Sequence, residues 1–306
     1  MPVEAAPRLS WNPGRDVSQL VEYHFMVNAL AAGTIVAVLA ALVGWLVVVR
    51  QQAFAAHTLS TMAFPGASAA ALAGIPQAWG YYAFCGLGAL AIARLPRQSG
   101  DASGQQPAAV GMTQAFALAL GFTFVSLYGG VLGDLEGLLF GSLLGISDGQ
   151  VLALAILAPV LLLALGLLAR PLLFASVDPG AAAARGLPVR RLGAAFLLLL
   201  GLTVAATSQI TGPLLVFGLL VMPAASAQAL TARPAHSLAL SVAIAVLVVW
   251  LGAGAAYFSE YPPGFYITAF AFAAWALARL ASGGAARVRT ARDARTGELA
   301  PEGVIA

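Results

Sequence analysis

Apolar runs long enough to cross a bilayer recur along the chain, each closed by glycine, proline or arginine, and this repetition limits the fold more than any other feature. Residues 194–206 are apolar at nearly every position. A membrane-spanning helix needs about 20 such residues, whereas a barrel strand alternates polarity over about ten. The unbroken runs exclude a barrel. Only 9% of the 306 residues are charged, against roughly 25% in ordinary soluble domains, which excludes a soluble globular enzyme.

The expected fold class is therefore all-α, a polytopic transmembrane helical bundle of about nine spans. They fall at residues 25–49, 58–73, 79–95, 110–128, 151–169, 192–208, 213–230, 237–257 and 265–280. The first run is too long for a signal-peptide core, so it is read as a retained span although Ala53-Phe54-Ala55 resembles a cleavage site. All fifteen basic residues are arginine, and thirteen follow odd-numbered spans. Basic residues collect on the cytoplasmic side. This places the N-terminus outside and the C-terminus in the cytoplasm, with the net charge of +3 reporting orientation and not nucleic-acid binding. Three regions result: an outer segment 1–24, a membrane domain 25–281, and a cytoplasmic tail 282–306 that is disordered or lies on anionic lipid headgroups. The polar stretch 97–107 reads as a flexible loop. The single cysteine, Cys85, allows no internal disulfide and no cysteine-based metal cluster, and is expected to be a core residue.

Ionisable groups inside the membrane are costly and mark functional sites. His57 stands at the start of span two, with Thr61 one helical turn on and Ser60 beside that face. A neutral imidazole is a common metal ligand; the alternative is a histidine bonded to a neighbouring helix at the membrane boundary. Pro65-Gly66 weakens this helix and either lines a transport cavity or makes a packing kink. The second polar break, from Thr203 through Thr207 and Gln209 to Pro213, either wets a pathway or caps two helices. Residues 129–149 mix Asp134, Glu136 and Asp148 with an apolar stretch too short to span, so a short outer or re-entrant helix with close glycine packing is expected.

The central loop carries the sharpest local signal. Asp178 is a good N-cap, Pro179 a good first helical residue, the alanines are strong helix formers, and Gly186 is a fitting stop. Such a short, self-capped helix is suited to docking, or is a surface helix without a partner. No phosphate loop, H-E-x-x-H pair or G-x-S-x-G elbow occurs. His57 with Ser60 alone lacks the third, orienting group of nucleophilic catalysis, so the chain is not read as an enzyme.

Taken in order, these features resemble a known family. They are Arg50, Phe54 and Gly66; Leu139-Phe140-Gly141-Ser142-Leu143-Leu144-Gly145; the loop from Asp178-Pro179 to Gly186; and Gly212 with Leu220-Val221-Met222-Pro223-Ala224-Ala225. The chain is similar, over residues 25–280, to the permease subunits of zinc/manganese-type metal-ion ABC importers, of the type II importer design. The resemblance implies a homodimeric pore in the bacterial inner membrane, served by a cytoplasmic ATPase and an extracytoplasmic metal-binding protein. It also implies that the loop helix, through Asp178, Pro179, Ala182, Ala183, Arg185 and Gly186, receives the ATPase stroke. The family's pathway ligands, an acidic residue and a histidine four apart, correspond here to His57 and Thr61, so this chain departs at both positions. Without the carboxylate a hard ion such as Mn²⁺ loses its preferred partner, and Zn²⁺ is the favoured cargo, with Mn²⁺ or Fe²⁺ as alternatives. Ser60, Thr207 and Gln209 are the expected pathway-lining residues. No resident cofactor is implied. Two rivals are a permease for a metal chelate such as a siderophore or cobalamin, and a proton-coupled carrier; the latter would want buried carboxylates, which the predicted spans lack.

Overall fold

In a computed structural model, residues 22–95, 105–128, 139, 141, 143–213, 215–259 and 261–297 are described. Among them lie ten α-helices: α1 His24–Val49, α2 Ala53–Leu72, α3 Gln77–Arg94, α4 Gln105–Tyr128, α5 Asp148–Val177, α6 Pro179–Ala184, α7 Val189–Thr211, α8 Val216–Leu230, α9 Pro234–Tyr257 and α10 Pro263–Gly297. The all-helical expectation holds. Six of the helices, α1, α4, α5, α7, α9 and α10, contain stretches long and apolar enough to cross a membrane. The nine expected spans each coincide with a helix, but α8 has only 15 residues, and α2 and α3 do not reach the same length and apolarity.

The helices are apolar around most of their circumference, so their own patterning does not choose a buried face; neighbours do. Helix α1 is central and packs on α5, α7, α8 and α9. Helix α2 lies against α3 and α4, and α3 continues the contact to α7. Small residues set the crossings, as expected where helices associate by close backbone approach. Gly66 of α2 sits against the backbone of Gly80 in α3, and Gly44 of α1 against that of Leu220 in α8. Polar atoms stitch the same interfaces: Trp45 Nε1 donates to Ser237 Oγ at 3.0 Å, and Gln228 Nε2 to the Trp45 carbonyl at 3.1 Å. Cys85 is fully buried, as its apolar surroundings in the sequence imply.

Several expectations are sharpened. The span expected at 58–73 is continuous through Pro65 to Leu72, and of the two readings of Pro65-Gly66 the packing one has support, since Gly66 serves the crossing with Gly80. Of the stretch 97–107 expected as a flexible loop, residues 97–104 lie outside the described part and 105–107 belong to α4. Helix α10 runs on past Ser282 to Gly297, into the tail 282–306, whose two readings, disordered or lying on lipid headgroups, stay open; residues 298–306 lie outside the described part. Within 129–149, residues 129–138 lie outside the described part, while Leu143–Gly145 forms a 3₁₀ turn. Close glycine packing does occur beside it. Gly141, at φ +74°, is set against the backbone of Ile210 and Gly212, and Gly212 ends α7 at φ +76°. A side chain at either left-handed glycine would be strained.

Candidate metal pathway and coupling helix

Helix α2 starts at Ala53, so His57 stands just over one turn inside it and not at its first residue. Its ring is half-buried and meets Phe217 of α8 edge-on, with centroids 5.0 Å apart. The Nδ1 atom is buried and has no hydrogen-bond partner. Buried polar atoms are nearly always paired, so an orphan invites an explanation. Thr61 follows one turn later, 5% exposed, its hydroxyl donating to the Thr58 carbonyl at 2.8 Å. Ser60 is buried and donates to the His57 carbonyl at 2.7 Å. Both hydroxyls spend their proton locally and keep oxygen lone pairs as acceptors. Pro65 adds a further oxygen: it has no N–H to give, so the Thr61 carbonyl loses its i+4 helix partner.

This arrangement can offer one imidazole nitrogen with nearby hydroxyl and carbonyl oxygens. It lacks a carboxylate. Among the described residues no three His, Cys, Asp or Glu side chains gather as a metal cluster, so a full coordination shell of four is not present in one chain's described part.

Of the other expected lining residues, Thr207 is fully buried and donates to the Thr203 carbonyl at 2.7 Å. Gln209 turns its amide to the Tyr82 hydroxyl at 3.0 Å, fastening α7 to α3. Neither bonds to His57 or Thr61. The polar break in α7 therefore works chiefly as internal fastening and a helix end. The unpartnered hydroxyls there are those of Thr203 and Ser208. Sequence reasoning also missed Gln52, whose Oε1 is buried without a partner just before α2, and Phe217. Nothing in their spacing distinguishes a glutamine in a turn or an aromatic in an apolar run.

The central loop folds as its residues dictate. Asp178 Oδ1 accepts the Ala181 N–H at 2.8 Å, Pro179 opens α6, and Gly186 turns the chain at φ +78°. Ala182 is fully buried against α6's own neighbours, whereas Pro179, Gly180, Ala183, Arg185 and Gly186 are exposed. The methyl group of Ala182, one of the residues expected in the docking helix, is thus already covered within the chain. Arg185 lies over the Phe174 ring at 5.3 Å, bracing α6 on α5. Arg50, just past α1, reaches the same region: its Nη1 donates to Ser176 Oγ at 2.8 Å and to the Leu172 carbonyl at 3.3 Å, and its guanidinium stands 5.2 Å over Phe196 of α7.

Residues 22–281 match the family described as the ABC 3 transport family. Among curated proteins, the manganese transport system membrane protein MntC of Halalkalibacterium halodurans is 30% identical over 229 residues, covering 75% of this chain and 77% of the relative. The chelated iron transport system membrane protein YfeC of Yersinia pestis is 30% identical over 246 residues, covering 80% and 81%. Among solved structures, PsaBC from Streptococcus pneumoniae in complex with Fab superimposes with a TM-score of 0.77 at 25% identity, covering 87% of this chain and 95% of that one.

Proposed function

The chain belongs to the ABC 3 transport family, and on that premise we propose that it is the membrane-spanning subunit of an ATP-driven importer of a divalent transition metal. It works as a homodimer in the bacterial inner membrane, with its N-terminus outside and its C-terminus in the cytoplasm. A separate ATPase engages the exposed face of α6, and an extracytoplasmic metal-binding protein delivers the ion. ATP hydrolysis falls to the partner; this chain conducts.

One observation carries the ion-handling part: His57 Nδ1 is buried without a partner on the helix turn that also presents Thr61. A ligand nitrogen must be free of other bonds to accept an ion. With one imidazole and oxygen atoms the site is weak, as a conduit requires, since it must release what it accepts. The donor set has no carboxylate, which favours Zn²⁺ over the harder Mn²⁺. The two relatives named above belong to manganese and chelated iron transport systems, so those cargoes belong in the same test. A second His57 from the partner protomer, or water, completes the shell.

The test is uptake of labelled Zn²⁺ and Mn²⁺ by cells carrying the intact system with wild-type or His57→Ala permease. Uptake falls roughly tenfold or more in the variant while the complex still assembles, and Zn²⁺ outcompetes Mn²⁺. Undiminished uptake by His57→Ala removes the ligand role; preferential Mn²⁺ uptake reverses the ion assignment.

A further inference from the structure

An apolar groove of about 170 Å³ opens between α1, α5 and α9, lined by Trp45, Leu165, Ala169, Leu173, Pro234 and Leu238 among others. It lies towards the ends of α1 and α5 from which the chain enters Arg50 and α6, and it reaches the first residue of α9. The indole N–H of Trp45 is taken by Ser237, so the groove offers no hydrogen bond from that side chain and suits hydrocarbon. Its rim is different. Arg170 lies between the lining residues Ala169 and Leu173 of α5, and Arg233 directly precedes the lining residue Pro234, so each flanks the groove without lining it. Both arginines are exposed, and among the described residues neither guanidinium has a hydrogen-bond or ion-pair partner.

We propose that this groove is a binding site for an anionic phospholipid of the cytoplasmic leaflet, its acyl chain in the groove and its phosphate between Arg170 and Arg233. Charge complementarity selects this occupant. Arginine pairs with phosphate through a planar fork, and an apolar slot flanked by an exposed arginine on each of two of its three helices matches a molecule that is part hydrocarbon and part anion. A second copy of this chain would have to leave both guanidinium groups facing its own surface. The assignment rests on the proposed orientation, in which the arginine-rich ends face the cytoplasm. Seated there, the lipid would wedge α5 against α1 and α9 on the side from which α6 projects.

The experiment is native mass spectrometry of the purified full chain offered phosphatidylglycerol or phosphatidylcholine with identical acyl chains. Wild type retains phosphatidylglycerol in preference to phosphatidylcholine. Retention weakens roughly thirtyfold in Arg170→Gln/Arg233→Gln, because two surface cations are removed, and is lost in Ala169→Trp, which fills the groove. As a check independent of those variants, phosphatidylglycerol with brominated chains quenches a component of tryptophan fluorescence that is missing from Trp45→Phe. Equal retention of the two lipids by wild type, unchanged retention in the double arginine variant, or an unaltered quenching profile in Trp45→Phe overturns the proposal. So does a dimer that Ala169→Trp dissociates while phosphatidylglycerol stays bound, which would give the groove to a second copy. His57→Ala retains the lipid like wild type, so failure here and failure of the metal assignment are read separately.

Discussion

Arg50 donates a hydrogen bond to Ser176 across 126 residues of sequence, at 2.8 Å, and so ties the end of α1 to the last turn of α5, directly before α6, the proposed coupling helix. The same guanidinium holds the Leu172 carbonyl and covers Phe196. One side chain thus joins α1, α5 and α7 next to α6. Replacing it with alanine removes charge-assisted bonds each worth about 1.5–3 kcal/mol. Arg50→Ala is expected to lower thermal stability and to leave ATP hydrolysis running with little transport. Ser176→Ala keeps the other contacts and costs about 1 kcal/mol or less. The check is the ratio of metal moved to ATP hydrolysed; an unchanged ratio in Arg50→Ala would show that the tie is not part of the coupling.

Two alanines in α6 separate folding from docking. Ala182 is fully buried and Ala183 is exposed. Ala182→Asp places an unpaired charge in a covered position and should reduce the amount of folded permease. Ala183→Asp should leave folding intact and weaken co-purification with the ATPase. Equal behaviour of the two variants would contradict the orientation of the helix.

The cap of that helix is separable as well. Asp178→Ala removes the bond to the Ala181 N–H, at a cost of about 1 kcal/mol, and Asp178→Asn or Ser restores most of it. Coupling measured for the three variants should follow cap strength, not charge. If asparagine is as damaging as alanine, the carboxylate acts on something other than the helix start.

Glycine contacts give a stability contrast. A methyl group on Gly44 would overlap the carbonyl oxygen of Leu220, while one on Gly86 would meet nothing within 4 Å. Gly44→Ala should therefore lose most folded protein by detergent size-exclusion chromatography. Gly86→Ala should be neutral, or stabilising by up to about 1 kcal/mol, the helix preference of alanine over glycine. A well-folded Gly44→Ala would mean that α1 and α8 cross less closely than the structure has them.

How far the sequence reached depended on whether the cause of a feature was local. The positions of the nine long helices could be read, because apolar length and its glycine, proline and arginine stops lie in consecutive residues. Helix α6 was legible almost to its atoms, since Asp178, Pro179 and Gly186 act on their own neighbours. The role of Pro65-Gly66 was not: the residues fit a cavity lining or a packing kink alike, and only the tertiary structure shows Gly66 packed on Gly80. Nor could a uniformly apolar helix disclose its faces, so the burial of Ala182, the approach of Phe217 to His57 and the reach of Arg50 to Ser176 all needed the tertiary arrangement. Gln209 illustrates the same limit. Its amide suggests a wet pathway, yet the structure gives it to Tyr82.

The account rests on a conduit at His57 driven by a motor on another subunit. Its most direct test is ⁶⁵Zn²⁺ uptake into vesicles supplied with the metal-binding protein and reconstituted with the wild-type permease alone, with the wild-type permease and its ATPase, or with the His57→Ala permease and the ATPase. The account predicts ATP-dependent uptake only in the wild-type permease with its ATPase. Uptake by the permease alone, or undiminished uptake through the His57→Ala complex, would contradict it.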